Sequence, residues 1–80
     1  MNIPHTGKEL GELDRKFSNC ESLTNSELLA LTAFMFHLHA FMLSGRHAIY
    51  AQFYARRYDT LAQCCIAKKL MTPDQLWKQP

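Results

Sequence analysis

The sequence predicts an all-α fold of three to four helices, and three observations support this class. Capping boxes, in which a threonine precedes a Glu or Gln by three residues, occur three times along the chain. Apolar residues recur at spacings of three and four, as on one face of a helix. No stretch shows the alternation of β-branched and polar residues that is typical of a half-buried strand.

Length and composition predict a single domain that spans residues 1–80. A chain of 80 residues, 48% of them hydrophobic, can form a packed core, so wholesale disorder is not expected. The chain is too short to build a deep cleft beside that core.

The first helix is predicted at residues 7–17. Thr6 and Glu9 form its capping box, because each side chain can accept a hydrogen bond from the other residue's backbone amide. Leu10, Leu13 and Phe17 then lie on one face of the helix.

The second helix, at residues 25–43, is predicted to be the central element. Thr24 and Glu27 form its capping box. A helix that is apolar nearly all round is buried by its neighbours. This one has apolar residues on more sides than two small helices can cover, so we also expect self-association into a dimer. Its main apolar stripe contains Leu28, Leu31, Met35, Leu38 and Met42.

A third helix is predicted at residues 46–71, and two connections to it fit the sequence. Gly45 can take the left-handed conformation and end the second helix, which gives an αα-hairpin broken at residues 44–46. Alternatively, the stripe continues almost in phase through Ile49 and Phe53, as in one long kinked helix that requires a dimer partner. The hairpin is favoured because protein helices average about 11–12 residues.

The third capping box, Thr72 to Gln75, predicts a short last helix at residues 73–78, with Pro73 at its first position. The core predicted from all four helices contains Leu10, Leu13, Phe17, Leu28, Leu31, Met35, Leu38, Phe41, Met42, Phe53 and Leu61.

The sequence predicts a cytoplasmic protein without membrane contact. The apolar run at 28–43 is shorter than the about 20 residues a spanning helix needs, and no secretory signal pattern opens the chain. Cys20, Cys64 and Cys65 are odd in number, and adjacent cysteines project from a helix in different directions. We therefore expect no disulfide framework and a reducing compartment.

Neither a metal site, a cofactor nor catalysis is expected. His37 and His39 lie about 200° apart on one helix, so they cannot share a metal ion, and His47 and the cysteines stand at no known ligand spacing. Cysteines next to Lys68 could form a reactive thiol, but cysteines on helix faces are more often small buried hydrophobes. No nucleophile elbow, phosphate loop or metalloprotease motif is present, which indicates a protein that is not an enzyme.

The third helix carries the residues predicted to bind a partner. Tyrosine and arginine dominate binding hot spots, and the YARRY segment interleaves them. For Arg57 alone, the favoured interpretation is that the side chain extends to solvent along the apolar face or pairs inside the domain with a carboxylate such as Glu27 or Asp14. The predicted partner-binding set is Tyr50, Tyr54, Arg56, Arg57 and Tyr58.

The most consistent function is that of a small interaction protein that modulates another protein. Adaptors, inhibitors and regulators, including accessory proteins of phages and plasmids, often have this form. The alternative is a nucleic-acid-binding regulator, since arginines between aromatic residues suit phosphate contact and base stacking. It ranks second because the isoelectric point of about 8.5 lies below that of a typical basic footprint.

Overall fold

A computed structural model describes residues 7–77 and contains three α-helices and one short 3-10 helix. They are α1 (Gly7–Lys16), α2 (Asn25–Ser44), α3 (Ala48–Ala67) and the 3-10 helix Pro73–Gln75. No strand occurs among these residues, so the predicted all-α class is confirmed. Thr6 of the first capping box lies outside the described range. The last helix, predicted at residues 73–78, is a 3-10 helix that already ends at Gln75, so its predicted extent is wrong.

The predicted hairpin is confirmed, and the single long helix is wrong. α2 starts at the predicted capping box, in which Thr24 accepts from the Glu27 amide and Glu27 accepts from the Thr24 amide. It ends at Ser44, and α3 then packs along it as the main contact between helices. α3 itself is shorter than predicted at both ends, since it begins at Ala48 and stops at Ala67.

The turn between α2 and α3 reverses at Arg46 rather than at Gly45. Arg46 has a φ of 62°, whereas Gly45 has a φ of −83°. The His47 amide donates to the Met42 carbonyl and the Arg46 amide to the Leu43 carbonyl, which is the Schellman pattern. A side chain in this left-handed position costs about 1 kcal/mol relative to glycine. The prediction that Gly45 would supply this conformation is therefore wrong.

The core lies between α2 and α3 and is closed on one side by α1. Leu28 and Leu31 from α2 meet Leu61 and Cys65 from α3, and all four side chains are fully buried. Further core residues come from α1, the loop after it and the remaining helix positions: Leu10, Leu13, Leu23, Met35, Tyr58, Ala62 and Cys64.

Two phenylalanines that were predicted in the core are exposed. Phe41 is 67% exposed and Phe53 is 56% exposed. Phe41 lies about 120° around α2 from Met35, and Phe53 lies about 140° around α3 from Tyr58, so neither points at the opposite helix. Leu38, Met42 and Phe17 are half-buried, and the other predicted core residues are buried.

A disulfide joins Cys20 to Cys64, so the prediction of no disulfide is wrong. The loop after α1 turns back and places Cys20 against α3, with 5.3 Å between the two Cα atoms. The odd number of cysteines is explained by Cys65, which is free and buried, with its Sγ 3.4 Å from the Thr32 hydroxyl. Disulfides persist mainly in oxidising compartments, so the argument for a cytoplasmic location loses its main support.

Removing the disulfide should lower the free energy of unfolding by about 2–4 kcal/mol. The bond closes a loop between residues 44 positions apart and so restricts the unfolded chain. Urea titrations of the wild type and of the Cys20→Ser/Cys64→Ser variant, each with and without reductant, measure this. Reductant should lower the midpoint of the wild type only, and equal midpoints for both proteins under oxidising conditions would contradict the assignment.

Replacing a core leucine should lower the stability of the fold far more than replacing an exposed phenylalanine on the same helix. Leu28→Ala should cost about 2–5 kcal/mol, because the side chain is fully buried and leaves a cavity. Phe41→Ala should cost less than about 1 kcal/mol, because most of its ring is already in water. Denaturant midpoints of the two variants check this, and a larger loss for Phe41→Ala would contradict the packing.

Candidate protein-docking surface

Tyr58, predicted as a contact residue, is part of the core. Its side chain is only 2% exposed, and its ring packs against those of Phe36 and Trp77 at centroid distances of 5.4 and 4.4 Å. The Trp77 amide donates to the Tyr58 hydroxyl at 2.9 Å. Tyr58 therefore anchors the C-terminal segment to the hairpin and cannot touch a partner in this conformation.

Arg57 is held inside the domain by Asp14, as the favoured interpretation predicted. Its guanidinium forms an ion pair with the Asp14 carboxylate and also donates to the Asp14 carbonyl at 3.3 Å. The same group lies 5.9 Å from the centre of the Phe17 ring, within the range of a cation–π contact. Arg57 thus fastens α1 to α3, and its charge is neutralised there.

Replacing Arg57 should destabilise the fold, whereas replacing its neighbour Arg56 should not. Arg57→Ala removes the contacts to Asp14 and Phe17 and should cost about 1 kcal/mol. Arg56 is exposed and contacts no carboxylate within residues 7–77, so Arg56→Ala should change stability by less than about 0.5 kcal/mol. Thermal or urea midpoints for the matched pair test this. Equal losses would contradict a structural role for Arg57.

The other three predicted site residues differ in exposure. Tyr50 is 60% exposed, and Arg56 is exposed on the solvent side of α3. Tyr54 is half-buried, with its ring 5.3 Å from that of Phe53. The YARRY segment is therefore divided between the interior and the surface.

Large exposed apolar side chains are concentrated at the end of the hairpin. Seven such residues occur in the described chain, and five of them lie within residues 41–53, on either side of the turn. Isolated exposed apolar residues are ordinary, but a cluster of large ones marks an interaction site. We call these five residues near the turn, Phe41, Leu43, Ile49, Tyr50 and Phe53, the hairpin-end surface. Phe41 and Leu43 lie about 200° apart on α2, whereas Ile49, Tyr50 and Phe53 fall within about 100° of one another on α3.

One face of α3 presents part of this surface as a regular strip. Ile49, Phe53 and Arg56 follow the i, i+4, i+7 spacing and are all exposed, so they line up over about 10 Å of helix. Tyr50 lies beside Ile49 on the flank of this strip. Helices that dock into a groove on another protein present side chains at this spacing.

The strip itself carries only positive charge, and the nearest carboxylate on α3 is that of the exposed Asp59, which follows Arg56 by three residues. No Asp or Glu occurs from residue 28 to residue 58, a span that includes Arg46, Arg56 and Arg57. Arg57 is paired with Asp14. Within residues 7–77, neither Arg46 nor Arg56 contacts a carboxylate. Two unpaired cations thus lie on either side of Ile49 and Phe53 in the sequence.

The histidines of the FHLH segment do not converge on one site. His39 places its Nδ1 3.0 Å from the Ala51 carbonyl oxygen and its ring edge-on to Trp77. His37 is exposed and contacts only the neighbouring Phe36 ring among the described aromatic pairs. In the described part of the chain, no group of three or more His, Cys, Asp or Glu side chains is placed to hold a metal ion.

Comparison with known proteins returned no relative: no family model, no curated protein and no solved structure matches the chain. Among the described helices, α2 is long and apolar enough to cross a membrane by length and composition alone. Core helices of soluble proteins can have the same composition, but they are mostly buried. α2 packs against α3 and α1 along one face, and only 22% of its apolar stretch is buried, so the prediction of a helix buried by its neighbours is wrong beyond that face.

Proposed function

We propose that this protein is a non-catalytic interaction module that binds another protein through the hairpin-end surface. The observation that carries the proposal is the concentration of exposed apolar side chains within residues 41–53. Leaving them in water costs free energy that a fitting partner surface would recover, at about 25 cal/mol for each Å² buried.

The side-chain types support a protein partner. Tyr50 and Phe53 provide broad, rigid rings, and the tyrosine adds a hydroxyl that can form a hydrogen bond at the edge of a contact. Of the set predicted from the sequence, Tyr50 belongs to the proposed site and the exposed Arg56 borders it. The half-buried Tyr54, the ion-paired Arg57 and the buried Tyr58 lie outside it.

The proposal can be tested by site-directed cross-linking. A photoreactive benzoylphenylalanine in place of Ile49 should capture a protein partner in a lysate of the native host, with or without nuclease. The same group in place of Leu29 is the matched control, because Leu29 is exposed but lies about 18 Å along α2 from Phe41, the nearest residue of the hairpin-end surface on that helix. The captured protein is then purified, and its affinity for the uncross-linked chain is measured.

With that purified partner, Phe53→Ala should weaken binding by about 30-fold, as expected for a central aromatic contact. Its melting temperature should stay close to that of the wild type, because the ring is 56% exposed. Leu29→Ala should bind normally. Equal affinity of the Phe53→Ala variant and the wild type, or capture that disappears with nuclease, would contradict protein docking at this surface.

A further inference from the structure

We infer that the partner's contact surface is apolar and edged with carboxylates, and that Arg46 and Arg56 select it by charge. This inference rests on the proposed function, since it specifies the chemistry of the partner that binds the hairpin-end surface. Its basis is the lack of acidic residues between Glu27 and Asp59, together with two arginines, Arg46 and Arg56, that form no ion pair with a described carboxylate, Asp59 included.

The arrangement is an apolar centre with a cation towards each end. Ile49 and Phe53 occupy the middle of the strip. Arg56 follows Phe53 by about one turn of α3, and Arg46 precedes Ile49 in the turn that leads into α3. Contacts between proteins commonly have an apolar centre and a polar rim. A guanidinium in such a rim loses water on binding, so a partner carboxylate that pairs with it improves both affinity and selectivity.

Arg46 is also placed in a conformation that disfavours it. Its φ of 62° belongs to the left-handed region, in which glycine is the preferred residue. Arg46→Gly should therefore remove the charge and stabilise the turn at once. This combination makes the variant a sharp test, because a loss of binding cannot then be explained by unfolding.

A second copy of this chain does not fit the strip. In a two-fold symmetric contact, the strip would pack antiparallel to itself, with Ile49 and Phe53 near the centre. Arg46 of one copy would then approach Arg56 of the other, so that at each end two arginines would share the single nearby carboxylate, that of Asp59. The dimer predicted from α2 stays a prediction, and it would need a different surface.

A lipid bilayer fits less well than a protein. If the hairpin end inserted into a bilayer, the turn would enter first. Arg46 and His47 are exposed in that turn, between Leu43 and Ile49. A guanidinium in the hydrocarbon layer is costly unless it reaches the headgroups. A protein surface can instead place a carboxylate directly opposite the turn.

The test uses two synthetic helical peptides with identical leucine faces, one with glutamates and one with lysines beside that face. Fluorescence anisotropy measures their binding to the wild type at about 50 and about 300 mM salt. The glutamate peptide should bind about tenfold more tightly than the lysine peptide, and the difference should shrink at high salt. Arg46→Gly and Arg56→Gln should each weaken the glutamate peptide by about threefold to tenfold, while Arg46→Gly raises the melting temperature.

Arg15→Gln is the matched control, because Arg15 is an exposed cation on α1, and it should bind the glutamate peptide normally. Phe53→Ala should weaken both peptides. If the wild type bound both peptides with equal affinity and the Phe53→Ala variant bound both more weakly, selection by charge would be contradicted. The proposed docking surface would still be supported.

Binding of neither peptide, or no effect of Phe53→Ala, would contradict both proposals. Vesicles of phosphatidylcholine and phosphatidylserine serve as the lipid probe. Binding to these vesicles that is lost in Phe53→Ala would overturn the inference in favour of an anionic membrane. A dimer in sedimentation equilibrium that Phe53→Ala dissociates would overturn it in favour of a second copy.

Discussion

The packing of α2 against α3 is the contact on which the rest of the structure depends. Each helix has 20 residues, and the turn at Gly45 and Arg46 brings them together so that Leu28 and Leu31 meet Leu61 and Cys65. These side chains form the fully buried centre of a cluster of eleven core residues, and removal of that apolar surface from water stabilises the fold. The antiparallel arrangement uses one face of each helix and leaves the opposite faces to α1, to the C-terminal segment or to solvent.

Two cross-links from the α1 region determine how much of α3 is covered. Asp14 holds Arg57 by an ion pair at the middle of α3, and Cys20 holds Cys64 by a disulfide two turns further on, on the same stripe. The N-terminal half of that stripe contains Tyr50 and Phe53, which are 60% and 56% exposed. The same helix therefore serves as a structural element at one end and as the proposed docking surface at the other.

Much of the fold followed from the sequence because its signals are local. The capping box at Thr24 and Glu27 fixed the start of α2 as predicted, and the stripe through Leu28, Leu31 and Met35 identified its core face. The end of α2 was predicted within one residue, although Arg46 rather than Gly45 takes the left-handed conformation. Local periodicity and capping carry this information without reference to the rest of the chain.

The features that were missed depend on contacts between distant residues. Periodicity places Phe41 and Phe53 beside apolar stripes, but their exposure depends on how far α1 extends over the hairpin. The disulfide joins cysteines 44 residues apart, and only the return of the loop after α1 brings them together. Tyr58 was assigned to the surface because it follows two arginines, whereas the C-terminal Trp77 covers it. The sequence did contain a signal that Phe53 is exposed. Ile49, Phe53 and Arg56 stand at i, i+4 and i+7, so Phe53 shares its helix face with a charged residue, and such a face faces solvent.

The central claim is that the hairpin buries one face of α3 and leaves the strip around Phe53 open to solvent. Paramagnetic enhancement of proton relaxation by a soluble gadolinium chelate measures this directly in the isolated protein. We expect strong enhancement at the ring protons of Tyr50 and Phe53 and weak enhancement at Tyr58 and Leu61, in line with exposures of 60, 56, 2 and 0%. Protection of Phe53 equal to that of Leu61, or enhancement of Tyr58 equal to that of Tyr50, would contradict this account.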